Sequence, residues 1–234
     1  MASSPMMKQY FEMKKQTGDA LLFYRLGDFY EMFYDDAITA SRELDLTLTA
    51  RDAGDGERAP MCGVPFHAVD AYIVKLIEKG YRVAICEQGE VVPKSKLVER
   101  KVVRTVTGGT ADCEMLRDNR NNYIACVYGA DGAAGIAYAD ITTGEFDMLE
   151  FPAPGALARL DDCLIRLRPA EIICNVSFVP LSKKLNSVVL EQIPLFYAYL
   201  QGKFNIDDAV GLVDGHLPSA VTADKKHAVI AAGV

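Results

Sequence analysis

Between Leu21 and Asp36 the chain reads LLFYRLGDFYEMFYDD, three Phe and three Tyr in a run that breaks only at Gly27-Asp28. So dense a run of strand-favouring aromatics predicts an extended element interrupted at the glycine. In a strand, residues i and i+2 project from one face, so Phe29 and Glu31 point one way and Tyr30 and Met32 the other. An ionised carboxylate is seldom buried without a partner. If Glu31 reaches solvent, Phe29 stands near solvent beside it, and a large exposed aromatic next to a fixed acid invites a functional reading. From these residues alone, a core strand with one tolerated acid stays open as the plainer account.

Such a strand needs a core around it. With 234 residues and 50% apolar content, the chain is long enough for two domains of about 110 residues each. No apolar run approaches the ~18 residues that span a bilayer, and the start, MASSPMMKQYFEMKKQ, lacks a signal-like apolar core. The expectation is a soluble, cytoplasmic protein. Cysteines at 62, 86, 113, 126, 163 and 174 form no Cys-x-x-Cys and have no His at zinc-ligand spacing, so they read as reduced core thiols. Charge is unevenly spread: residues 1–108 carry 15 Lys and Arg against 16 Asp and Glu, and residues 109–234 carry 10 against 16. The first half is the less hostile to a polyanion.

Periodicity predicts a helix over 5–17 with Met6, Tyr10, Phe11 and Met13 apolar, and a second over 35–45 with Ala37, Ala40 and Leu44 on one stripe. Asp35 and Asp36 suit the positive end of that second helix dipole. LTLTARD reads as a strand, Arg58–Phe66 as a short strand and an irregular connection, His67–Lys79 as a helix closed by Gly80, and Tyr81–Glu87 as a strand. Residues 94–104 hold five basic groups against Glu99 alone, with Val98, Arg100, Val102 and Arg104 alternating along one strand face. The plain reading there is a charged, solvated edge strand. After a linker over 109–121, residues 122–234 suggest a second α/β domain. It comprises three antiparallel strands with turns at Ala130-Asp-Gly and Thr143-Gly, a helix over 154–167, a buried strand from Glu171 and a short helix near 181–186. A strand at 187–191 and helices near 194–203, 205–213 and 220–234 follow. The last helix stops in mid-pattern, so the chain reads as a piece of something longer, truncated at its C-terminal end.

Catalytic signatures are missing. Gly202-Lys203 is followed by Phe204 and lacks the upstream glycine of a phosphate loop, and His67, His216 and His227 are scattered. The best enzyme lead is Asp140, at the end of an apolar strand. A metal-dependent nuclease of ribonuclease H-like fold would need it to converge with Glu145 and Asp147 on Mg²⁺.

FYRLGDFYEMFYDDA, PMCGVPFHAV, RVAICEQ and LVERKVVRTVTGGT occur in this order and spacing. Together they resemble the N-terminal part of the bacterial MutS family of DNA mismatch repair proteins. The resemblance is most specific from Met6 to Thr110. It implies a mismatch-recognition domain over 1–108 and a connector domain of ribonuclease H-like fold over 122–234. It further implies that Phe29 wedges into mismatched double-stranded DNA and stacks on a mispaired base while Glu31 hydrogen-bonds to that base. Arg51, Met61 and Arg104 match other DNA-facing positions. Also implied are docking of MutL through the connector and a dimeric parent ATPase whose ATP and Mg²⁺ sites lie outside these residues. The chain itself is then a monomer that is neither an enzyme nor a cofactor binder. It departs from the family in two places: the Gly89–Lys96 loop lacks the usual Asp-Pro pair and Lys-Gly ending, and Gly108-Gly-Thr replaces Pro-Gly-Thr.

Overall fold

The structure, a computed structural model, describes residues 4–54, 56–89, 98–111, 121–185, 195–196, 205–216 and 225–234. They fall into two compact units that divide between Thr107 and Gly108. Each is α/β with a mixed sheet.

The first unit runs α1 (Pro5–Thr17), β1 (Leu21–Leu26), β2 (Phe29–Phe33), α2 (Tyr34–Leu44), β3 (Thr49–Gly54), β4 (Glu57–Pro65), α3 (Val69–Ile77), β5 (Val83–Gln88) and β6 (Arg100–Val106). Its strands lie in the order β3-β4-β2-β1-β5-β6, with β1 and β5 parallel and their neighbours antiparallel. The aromatic run is a hairpin in which Leu26 pairs with Phe29 across the break. Gly27 holds φ +59° there, a left-handed value that favours glycine at the first position of a two-residue turn.

Helix α1 begins as expected, with Ser4 Oγ accepting the Met7 N–H at 3.3 Å and Pro5 in the first turn. Its buried stripe, however, is Met7 and Tyr10, while Phe11 is exposed. Tyr10 sits edge-on to Tyr24 and Phe33, with centroids 5.6 and 5.1 Å away, and one further residue turns Phe11 about 100° off that contact.

Asp36 also differs from expectation: it does more than face a helix dipole. Its carboxylate is buried and accepts the Leu22 N–H at 3.0 Å, the Tyr10 hydroxyl at 3.3 Å and the Lys14 ammonium at 2.8 Å. One side chain thus joins α1, β1 and α2, and burial, with Asp36 second, pushes the Tyr10 phenol far above its ordinary value.

The stretch expected to be irregular after Arg58 is the nine-residue strand β4. Its prolines sit at the margins of pairing with β2, where a missing N–H is tolerated: Pro65 ends that register and Pro60 lies beyond its last pair, Phe33 with Met61, although on its other side Pro60 pairs with Ala50 of β3. Helix α3 buries Ile73, Leu76 and Ile77 and closes at Gly80, whose N–H reaches Ile77 O while that of Tyr81 reaches Leu76 O.

The second unit runs β7 (Tyr123–Ala130), β8 (Ala133–Asp140), β9 (Glu145–Phe151), α4 (Ala156–Leu167), β10 (Glu171–Cys174), α5 (Val179–Ser182), β11 (Leu195–Phe196), α6 (Ile206–His216) and α7 (Lys226–Ala232). The strand order is β11-β10-β7-β8-β9. Leu160, Cys163 and Leu164 of α4 pack with Ala125, Val127, Ile136 and Ile172, and a second cluster joins Ala209 and Val213 of α6 to Ala228, Val229, Ala137 and Met148. The short helix expected at 181–186 starts earlier because Pro180 occupies its first turn. Leu195–Phe196, read above as helix, pairs parallel to β10 instead; short apolar runs suit either state until a sheet edge selects one. The strand expected at 187–191, most of the helix at 194–203, the start of the last helix at 220–224 and nearly all of the Gly89–Lys96 loop lie outside the described residues.

Candidate functional site

Pair geometry assigns the faces of the first sheet. Phe29, Glu31 and Phe33 lie on one face of β2, opposite Leu26 and Tyr24 of β1 and Pro65, Gly63 and Met61 of β4. Helix α1 covers one end of this face, so Tyr24 and Phe33 are fully buried. Toward the hairpin turn the cover runs out, and Phe29 is 47% exposed. The alternation read from sequence holds, since Tyr30 and Met32 are buried on the opposite side.

Glu31 has a partner that the sequence did not reveal. Nη1 of Arg51, on β3, lies 2.6 Å from Glu31 Oε2, and the two side chains are 41% and 15% exposed. Met61 is half-buried against the core, beside Phe33 on the same face. Phe29, Glu31, Arg51 and Met61 therefore share one face.

Arg104 does not join them. Ile85 pairs with Arg104 but the next residue, Cys86, pairs with Val102, so Val103 is an extra residue that shifts the strand's alternation. Cys86 belongs to the cluster under α1, so Ile85 and the exposed Arg104 lie on the reverse face. Arg100 departs from the charged-edge reading in the other direction. It is buried, its guanidinium 4.9 Å over the Tyr24 ring, with Nε donating to Arg25 O at 2.8 Å and Nη1 to Gln9 Oε1 at 3.1 Å. It fastens β6 to β1 and α1.

The turn carrying Phe29 is braced as well. The Arg25 guanidinium stacks 3.9 Å over Phe66 and lies 5.3 Å from the Tyr30 ring, and the Phe66 N–H donates to Asp28 O at 2.9 Å. Tyr30 donates to Glu87, and burial first, then that bond, pushes its phenol up to about 12.

The nuclease alternative finds no support. Asp140 is buried and accepts Asn122 N–H at 2.9 Å, Thr142 N–H at 2.8 Å and Thr142 Oγ1 at 2.6 Å. Glu145 and Asp147 accept the Tyr123 and Tyr138 hydroxyls instead, and no three His, Cys, Asp or Glu converge among the described residues. Burial raises the Asp140 carboxyl, but its hydrogen bonds outweigh burial and hold it below the ordinary 3.8. A carboxyl lowered on folding contributes stability that is complete above its unfolded value and is lost as pH falls through its folded one. Asp140→Asn turns an amide N–H₂ toward a buried donor, so it should cost about 1–3 kcal/mol at pH 7. The gap in thermal stability should close as pH is taken below the ordinary carboxyl value; a pH-independent gap would rule out this account.

No helix among the described residues is long and apolar enough to cross a membrane. A family model for MutS domain I matches residues 4–114 and one for MutS domain II matches residues 122–231. The DNA mismatch repair protein MutS of Desulforamulus reducens is 43% identical over 240 residues, 100% of this chain and 28% of the relative. That of Pelotomaculum thermopropionicum is 46% identical over 97% of this chain and 27% of the relative, and that of Ruminiclostridium cellulolyticum 52% identical over 74% and 20%. The chain thus spans about a quarter of the length of the curated relatives it matches.

Proposed function

The chain belongs to the MutS family of DNA mismatch repair proteins, and from that premise we propose that it recognises mispaired bases in duplex DNA through the face bearing Phe29 and Glu31. The observation that carries the reading is the exposure of Phe29 at the uncovered end of a sheet face whose other end is sealed core. Phe29 enters the duplex and stacks on a mispaired base, and Glu31 accepts a hydrogen bond from that base. Met61 and Arg51 border the contact. Arg104, on the reverse face of the sheet, gains no support as part of it.

The second unit is the connector, of ribonuclease H-like fold, and its acidic balance suits contact with protein, MutL in this family, better than contact with DNA. ATP hydrolysis and dimerisation belong to the rest of the protein.

Gel-shift and anisotropy titrations on G·T and fully paired duplexes at one fixed salt concentration test the reading. The complete protein that carries this chain should prefer the G·T duplex. The 234-residue chain alone, with a nearly neutral first half, should bind weakly with a shallow dependence on salt, because few counterions are released. Tight, steeply salt-dependent binding by the chain alone would show that the DNA contacts lie elsewhere, and no preference in the complete protein would overturn the reading.

A further inference from the structure

The ion pair between Arg51 and Glu31 joins β3 to β2 across the intervening β4. Two features fix the carboxylate there. Gly63, opposite Glu31 on β4, leaves it room: a Cβ at that position would meet Tyr30 O at 3.2 Å and Glu31 Cγ at 3.4 Å. Arg51 supplies the other constraint, holding Oε2 at 2.6 Å. A guanidinium whose charge is offset by a carboxylate draws a phosphate less strongly than a lone arginine does, and a lone carboxylate moved between phosphates is repelled by them. Paired, it carries no net charge into the groove.

We propose that Arg51 acts on DNA through Glu31, as the residue that positions and neutralises this carboxylate so that it can read a base edge. The short Nη1–Oε2 contact ties one carboxylate oxygen to the guanidinium and offsets its charge, so the loss of Arg51 releases the Glu31 side chain from its aim and leaves it negative. Arg51 then governs discrimination between mismatched and paired duplex, whereas an independent phosphate contact would govern affinity for both alike. This inference rests on the reading that the Phe29 face meets the duplex.

The test is a double-mutant cycle in the complete protein with Arg51→Gln, which keeps the aliphatic stem, Glu31→Gln, and the two combined. Each is titrated against G·T and paired duplexes, with thermal unfolding measured alongside. Arg51→Gln should reduce the ratio of mismatch to paired affinity by roughly three- to tenfold, the worth of one well-placed hydrogen bond. Made in the Glu31→Gln background, the same substitution should leave the ratio unchanged, since the group it positions is already gone. A purely structural role would lower the melting temperature and leave the ratio alone. If Arg51→Gln weakens both duplexes by one factor in both backgrounds, Arg51 is an independent phosphate contact and the inference fails. Phe29→Ala in the same series separates that failure from a failure of the underlying reading: if it changes neither duplex, the face itself has been misassigned.

Discussion

Phe29→Ala in the complete protein should weaken binding to a G·T duplex by about 1–3 kcal/mol, roughly five- to 150-fold, and should hardly change binding to paired duplex. Inserting a side chain between base steps costs a few kcal/mol of unstacking, and that cost is least where pairing is already defective. Stacking on the aromatic returns a comparable amount, so the sum is favourable at a mismatch and unfavourable in intact duplex. Removing the ring removes only the returned part, and paired duplex never received it. The fold should not suffer, because Phe29 is 47% exposed and lies outside the cluster under α1. Paired titrations with a thermal unfolding control decide the matter: a marked loss of melting temperature, with both duplexes weakened equally, would make Phe29 a packing residue.

A larger effect on stability is expected at Asp36. Asp36→Ala takes the acceptor from the Lys14 ammonium, the Leu22 N–H and one arm of the Tyr10 hydroxyl at once. Removing one member of a buried ion pair costs about 3–5 kcal/mol. Lys14 is 27% exposed and also donates to Ala20 O at 2.7 Å, which argues for the lower end of that range. For a unit of this size, a loss of about 3 kcal/mol lowers the melting temperature by on the order of 10 °C. Asp36→Asn, which keeps one acceptor oxygen, should fall between the unsubstituted protein and the alanine variant. Calorimetry or denaturant titration can measure the series, and a loss below about 1 kcal/mol for the alanine variant would mean that the network is dispensable.

These outcomes depend on features of unequal visibility in the sequence. The break at Gly27-Asp28 and the orientation of Phe29 were legible because strand alternation is a local rule, and a buried Tyr30 and Met32 leave Phe29 and Glu31 no other side; that the run folds back on itself as a hairpin was not. The three strands β7 to β9 and helix α4 were legible from equally local signals, with turn residues marking the ends of the strands. What escaped was everything set by sheet order. Arg51 and Glu31 are twenty residues apart and meet only because β4 lies between their strands. Arg100 looked like an edge charge and is a buried rivet over Tyr24, since nothing local says that a second layer will arrive above it. Asp36 resembled any acid in a first helical turn, and its role required α1 to be folded back over β1.

Val103 changes how strand β6 is to be understood. A strand of fixed pleat is a two-state code in which odd and even positions face opposite worlds, and an inserted residue flips the parity of all that follows. Before the flip, Arg100 and Val102 are spent on the interior beneath α1; after it, Arg104 is delivered to the reverse side and Val106 is buried. The identity of residue 103 therefore matters less than its presence. Position in this strand is a matter of counting, and two arginines four residues apart inhabit different surfaces because the count is one longer than its partner's.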